Sequence, residues 1–288
     1  MGIFKAAAIQ MRSGVDAARN AADFERMVRE AAANGASYVQ SPEMTNALVR
    51  ERAAREAAFR DEANDLIVAA ARKLSAELSI AVHVGSTAII LGADRYANRS
   101  FLFAPGGELV ARYDKIHMFD VDLDNGESWR ESAVYEPGKQ AVVADLPFAR
   151  LGFGICYDMR FPQLFRAEAL AGANVLTAPA AFTRQTGEAH WHVLLRSRAI
   201  ENGAWVIAAA QGGVHEDGRE TYGHSIIIDP WGRVVAEVDS AEPGIAYAEI
   251  DTQASVDARR KIPNLKNARE FSVAQAGGTV EPLRGAAS

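Results

Sequence analysis

The sequence predicts an α/β fold: a four-layer αββα sandwich, with two sheets packed face to face and helices outside. Three observations lead there. Short apolar runs alternate with stretches of helical spacing along the whole chain, the pattern of helices lying on sheet faces. Two distant segments, FLFAPGGELVARYD (101–114) and IIIDPWGRVVAEVD (226–239), both read strand, Pro-x-Gly turn, strand, so each half should supply a similar sheet with antiparallel portions. Three potentially reactive side chains, Glu43, Lys115 and Cys156, each follow an apolar strand-like run.

Taken in order, residues 4–11 form a short apolar strand and 16–33 carry helical spacing. Residues 38–41 are a brief strand, and the alanine-rich stretch 51–78 reads as one helix. Strands follow at 80–84, 86–91 and 98–103, the last opening the first hairpin. Proline presets φ in each hairpin turn and the glycine after it tolerates φ > 0. In the second half, 151–155 is a buried strand and 163–171 a helix, while the apolar runs 174–178 and 205–211 flank a helix at 188–202. The segment 120–139 lacks clear periodicity, and loops of that length are commonly functional. No Pro/Gly/Ser linker divides the chain, so 1–275 is expected to be a single domain, with 276–288 a mobile tail.

Composition narrows the function classes. A hydrophobic content of 49% with 24% charged residues in 288 suits a soluble globular chain with a full core. A net charge of −6 argues against nucleic acid as a partner. No stretch approaches an apolar membrane span, and the first residues, MGIFKAAAIQM, resemble neither a signal peptide nor a myristoylation site. Cys156 is the sole cysteine, which excludes an intrachain disulfide and a cysteine-based zinc site and fits a reducing, cytoplasmic compartment.

Cys156 sits where the run Leu151-Gly152-Phe153-Gly154-Ile155 gives way to a helix. Unpaired N–H groups at such a corner favour a thiolate and later an oxyanion, although a small buried hydrophobe is an open alternative there. Glu43 in YVQSPEM and Lys115 in ARYDKIHMFD follow strands of their own, and strand ends in an α/β sandwich converge on one edge. A carboxylate can take the thiol proton and later activate water, an ammonium can hold an oxyanion, and a thiolate can form a thioester. Together these three groups describe acyl transfer to water.

The segments SPEM, RYDKIHMFD and GFGICYDMRFP, in this order, closely resemble the nitrilase superfamily of carbon–nitrogen hydrolases. The resemblance runs from about residue 4 to 263, nearly the whole chain. It implies a nitrilase-like sandwich in which Glu43 is general base, Lys115 stabilises the oxyanion and Cys156 is the nucleophile. The backbone N–H of Tyr157 is then expected to complete the oxyanion hole. A second carboxylate in the loop after the lysine corresponds to Glu131, with Glu127 as the alternative.

Further segments, at 179–213 and 215–232, resemble the Nit branch of amidases. AAAQGG followed by GRETYGHS is more similar to branch members that hydrolyse deaminated glutathione than to ω-amidases. The implied reaction releases 2-oxoglutarate and Cys-Gly; the alternative is ω-amidase action on 2-oxoglutaramate or 2-oxosuccinamate. A 2-oxo acid end requires a cation and hydroxyl donors. Arg160, four residues past Cys156, and Thr186 in TRQTG are the candidates, with Arg184 a weaker cation and His117 a further pocket residue. Asp158 is the competing structural partner for Arg160.

No cofactor or metal is expected, because His190 and His192 are two apart on a helix and so face different ways. His83 and His224 read as core or interface groups, as do Tyr222, Trp205 and Trp231. The partner is a small-molecule amide, and the Nit resemblance implies a homodimer or higher homo-oligomer, with Trp191 and Leu195 of the 188–202 helix as the candidate apolar surface. From a different class, the chain could be a non-catalytic scaffold, but a decayed enzyme should have lost one of Glu43, Lys115 or Cys156, and all three remain.

Overall fold

Alternation along the first strand sets the architecture. In β1 (Ile3–Gln10), Phe4, Ala6 and Ala8 enter one core while Ala7 and Ile9 enter another. A strand buried on both faces belongs in the middle of a layered sandwich. These are features of a computed structural model that describes residues 2–122, 126 and 128–273. Glu127 and the tail from 276 lie outside the described residues.

Helix α1 (Ala17–Ala33) starts on Asp16, whose carboxylate accepts the N–H groups of Ala18 and Arg19 at 2.9 and 3.2 Å. It buries Phe24, Met27, Val28 and Ala31 on one face. After β2 (Tyr38–Gln40), the stretch expected to be a single helix is two: α2 (Arg52–Ala58) and α3 (Leu66–Leu78). The break has a physical cause. Phe59 turns extended and buries fully, and Asp65 then caps a new helix by accepting from Ile67 and Val68.

Strand β3 (Ala81–Gly92) joins two expected strands through a register shift between Val84 and Thr87. Gly85 makes this possible: a Cβ there would meet the Ser41 carbonyl oxygen at 2.0 Å. Strands β4 (Arg95–Phe103) and β5 (Leu109–Asp114) form the first hairpin as expected.

The aperiodic segment holds a small antiparallel pair, β6 (Asp120–Asp122) and β7 (Ser128–Arg130). Then come β8 (Val143–Leu146), β9 (Ala149–Phe153), a 3₁₀ turn over Cys156–Arg160, and α4 (Pro162–Leu170) with proline at its first position. After β10 (Val175–Thr177), α5 (Arg184–Asn202) begins four residues earlier than expected, so Thr186 is in its first turn rather than a loop. Strands β11 (Trp205–Ala208), β12 (Gly212–Val214), β13 (Glu220–Tyr222), β14 (Ile226–Ile228), β15 (Val234–Glu237) and β16 (Gly244–Asp251) precede α6 (Gln253–Lys261).

The two six-stranded sheets have one pattern. In the first, the order β16-β1-β2-β3-β4-β5 runs antiparallel, parallel, parallel, antiparallel, antiparallel. In the second, β8-β9-β10-β11-β14-β15 repeats that sequence. The hairpins β4–β5 and β14–β15 occupy matching places, which explains the similarity of the two Pro-x-Gly segments. Phe4, Tyr38 and Leu102 of one sheet share a core with Phe153, Leu176 and Ile227 of the other, and α1 and α3 pack on the outside of the first sheet. On the outside of the second, Trp191 and Leu195 of α5 are 0% exposed, Trp191 against Phe182 at 5.4 Å. They are spent on the protein's own core, so the surface expected of them is not there. The large apolar residues that α5 exposes are Val193 and Ile200. No helix among the described residues is long and apolar enough to cross a membrane.

Candidate active site

Glu43 lies in the turn after β2, held by Thr45 N–H donating to the Ser86 carbonyl at 2.8 Å and Gln211 Nε2 donating to Glu43's own carbonyl at 3.0 Å. Glu43 is 4% exposed, and both its carboxylate oxygens are occupied. Oε1 accepts from Lys115 Nζ at 2.9 Å and Asn98 Nδ2 at 2.8 Å, and Oε2 accepts the Ala181 N–H at 2.8 Å. Burial alone would raise its pKa. The charge and hydrogen bond of Lys115, helped by the Cys156 thiol and the Ala181 N–H, outweigh burial and hold it below the usual 4.5.

Lys115 is the first residue past β5 and is 2% exposed. Besides Glu43 it donates to Glu131 at 2.9 and 3.0 Å. Burial lowers its pKa, but Glu131, then Glu43 and Cys156, push it well above 10.5, so the ammonium stays charged. Glu131 also accepts the Phe119 N–H at 2.7 Å and Asn98 Nδ2 at 3.2 Å.

Cys156 follows β9 with a left-handed φ of 49° and its N–H given to the Pro179 carbonyl at 2.9 Å. The strained backbone turns the thiol into the cavity rather than along the strand. The thiol does not rest as a thiolate, contrary to the corner argument. Burial, then the Glu43 charge, raise its pKa well above 9.0, and Lys115 only partly offsets them. Lys115 has little to give, because its charge is already met by two carboxylates.

Glu43, Lys115, Glu131, Cys156, Tyr157 and Thr186 all line one cavity of about 300 Å³, within the usual range for small-molecule sites. Thr186 Oγ1 is hydrogen-bonded to Thr183 Oγ1 at 2.7 Å. Arg160 is set back from the lining, its guanidinium carbon 5.3 Å from the Phe182 ring centroid and 5.9 Å from that of Tyr157, both lining residues. It has no carboxylate partner among the described residues; its polar neighbour is His190 at 3.4 Å. The structure does not bring His117 into the cavity wall. Its ring stacks on Phe161 at 3.5 Å, and both its N–H and Nδ1 engage Asp158.

Asp158 is the structural residue the sequence reading undervalued. Fully buried, it accepts from Tyr113 Oη at 2.6 Å, the Ile155 N–H at 2.9 Å, and the His117 N–H and Nδ1 at 3.0 and 2.7 Å. One carboxylate therefore fixes the lysine loop to the cysteine turn. Asn98 was also missed, as were three arginines of the wall, Arg50, Arg55 and Arg219. His83 is a satisfied core group, bonded to Tyr38 at 2.6 Å and Ser100 at 2.7 Å, with its pKa pushed down to about 3 by burial. Trp205 is buried, whereas Trp231 is exposed and sits near Lys261.

Among the described residues, one group could hold a metal ion. It joins His192 with His224 and Glu237 rather than with His190, and it does not line the cavity. A thiol, an ionised carboxylate and a charged amine in one buried wall suit attack on a carbonyl carbon followed by hydrolysis.

The carbon-nitrogen hydrolase family model matches residues 5–260. The chain belongs to this family. The carbon-nitrogen hydrolase is 40% identical over 270 residues to the deaminated glutathione amidase of Yersinia enterocolitica, covering 92% of this chain and 93% of that one. It is 34% identical to human omega-amidase NIT2, covering 93% and 96%. Its fold is similar to the crystal structure of Saccharomyces cerevisiae Nit3, a member of branch 10 of the nitrilase superfamily, with a TM-score of 0.81 at 28% identity over 91% of this chain and 95% of that one. The αββα sandwich of this hydrolase is therefore the nitrilase fold.

Proposed function

We propose that this hydrolase is a cofactor-independent thiol amidase that cleaves the amide of a 2-oxo acid, deaminated glutathione before shorter amides. The observation that carries the reading is the Lys115 ammonium clamped between Glu43 and Glu131 in the same wall as Cys156. Glu43, ionised beside a protonated thiol, takes the Cys156 proton as sulfur attacks the amide carbon. Lys115 and the Tyr157 N–H receive the oxyanion of the tetrahedral intermediate. Glu43 passes its proton to the leaving nitrogen, the C–N bond breaks, and Cys-Gly departs from a thioester. Glu43 then deprotonates water, which attacks the thioester carbonyl; 2-oxoglutarate leaves and the thiol is restored. Glu131 holds Lys115 in place through two short hydrogen bonds and keeps it charged. Arg160 and Thr186 hold the 2-oxo acid end.

The substrate follows the names borne by the similar proteins, with ω-amidase action on 2-oxoglutaramate as the second reading, favoured by the likeness to omega-amidase NIT2. Steady-state comparison of deaminated glutathione with 2-oxoglutaramate tests the choice. A higher kcat/KM for deaminated glutathione is expected, and a clear preference for the short amide refutes it. A catalytic, unbridged cysteine fits the cytoplasm, and we infer a homodimer or larger homo-oligomer, measurable by light scattering.

A further inference from the structure

A second cationic group borders the cavity apart from Arg160, and among the described residues its counter-charge is a single carboxylate. Arg50 follows the Glu43 turn, Arg55 is on α2, and Arg219 immediately precedes β13; all three line the cavity. The guanidinium carbons of Arg50 and Arg219 lie 4.5 and 4.6 Å from the Trp129 ring centroid. Among the described residues the three share a single carboxylate, Asp217, at 3.4 Å from Arg219 Nη2 and 4.0 Å from Arg50 Nε. Asp217 is outside the cavity lining. Arg55 donates to the Arg50 carbonyl and, among the described residues, has no carboxylate partner of its own.

Two of these guanidiniums carry an unmet demand. The Nε atoms of Arg55 and Arg219 are buried without a hydrogen-bond partner. A buried polar atom left unpaired costs stability, and a charged one costs more, so such atoms in a cavity wall point to a ligand that completes them. Burial, opposed by Asp217, lowers the pKa of Arg219, the sign of a cation short of anionic neighbours. Planar guanidiniums are matched to carboxylates.

Placement relative to Arg160 says which carboxylate. A row of rings runs along this part of the protein: Tyr157 to Phe119 at 5.2 Å, and Phe119 to Trp129 at 6.3 Å. Arg160 stands against Tyr157 at one end, and Arg50 and Arg219 against Trp129 at the other. A short 2-oxo acid amide has one carboxylate and engages one end. A peptide amide such as deaminated glutathione has a second, at the far end of its leaving group.

Building on the amidase reading above, we propose that Arg55 and Arg219, with Arg50 at the rim, form a subsite for the terminal carboxylate of the leaving amine. This subsite makes the enzyme selective for peptide-like amides that end in a free carboxylate.

The test measures kcat/KM for deaminated glutathione, for its C-terminal glycinamide and for 2-oxoglutaramate in the parent, Arg55→Ala and Arg219→Lys. The parent is expected to favour the free acid over the glycinamide by roughly ten-fold or more, the span of one lost charge-assisted hydrogen bond. In Arg55→Ala that ratio should fall towards one. Arg219→Lys, which keeps the charge but loses the fork, should lower it partway. Arg55 is on a short peripheral helix, so its variant does not depend on the buried Arg219 folding. Loss as large on 2-oxoglutaramate as on deaminated glutathione would overturn the subsite, since the short amide has no leaving-group carboxylate. A parent that cleaves both peptide amides equally well would also overturn it while leaving the amidase reading intact. A parent inactive on both peptide amides would overturn the substrate reading itself, and the subsite with it.

Discussion

Replacing Lys115 by methionine exposes the electrostatic design of the site. The substitution keeps the volume and removes the charge that Glu43 and Glu131 share. Two nearly dry carboxylates then face each other without a cation. Breaking a buried pair in this way costs about 3–5 kcal/mol, which at roughly 2–4 °C per kcal/mol for a chain of this size is a fall in Tm of roughly 6–20 °C. The pH dependence should also reverse in sign. In the parent, Glu43 is held below 4.5, so its contribution is present above 4.5 and is lost as pH falls through the depressed value. Without Lys115 the largest remaining influence is burial, which raises the pKa of Glu43. The variant is then relatively stable when the carboxylate is protonated and loses stability as pH rises through the raised value. Thermal melts between about pH 5 and about pH 8 should show a deficit that widens with pH. Activity should fall by roughly 10²–10³-fold with the oxyanion contact gone. A variant that melts like the parent at both ends of that range would refute the ion-pair reasoning.

The remaining predictions concern the thiol and its support. Because the Cys156 pKa lies well above 9.0, iodoacetamide should alkylate Cys156 slowly at neutral pH, with the rate rising only beyond pH 9.0; fast labelling at neutral pH would show a resting thiolate. Lys115→Ala should slow neutral labelling further, since Lys115 lowers that pKa and Glu43 raises it. Asp158→Ala strands the hydrogen bonds from Tyr113, His117 and Ile155, so it should cost about 3 kcal/mol or more of stability, read by urea unfolding, and lower kcat more than it raises KM. An equal loss in kcat and in stability at Asn98→Ala, whose side chain among the described residues donates to Glu43 and Glu131 and not to Asp158, would mark the Asp158 effect as general loosening rather than positioning.

Much of this site was legible because each central residue follows a strand whose apolar run is local in sequence. Glu43, Lys115 and Cys156 could be placed at strand ends, and the paired hairpins announced a duplicated sheet. The break between α2 and α3 was also written locally: Asp65 precedes Leu66-Ile67-Val68, an N-cap signal inside what looked like continuous alanine-rich helix. Strand β16 was passed over although IAYAEID alternates cleanly; its partner β1 is at the other end of the chain. Asp158 stood in plain view beside the cysteine, but its direction, away from Arg160 and towards Tyr113 and His117, depends on how two loops meet. Arg50, Arg55 and Arg219 have no local signature at all. They meet only because the turns after β2 and β12 and the helix α2 all reach one cavity, where Arg50 and Arg219 flank Trp129. Burial decided the thiol's resting state, and burial is a property of the assembled core.

The chemistry passes through a thioester on Cys156, which acid-quenched intact mass analysis during turnover of deaminated glutathione detects. The mechanism predicts a 2-oxoglutaryl adduct localised to Cys156 in the parent, absent from Cys156→Ala and from Glu43→Gln, which lacks the base that takes the thiol proton. Amide hydrolysis by Cys156→Ala at the parent rate, with no adduct on any protein, would contradict it.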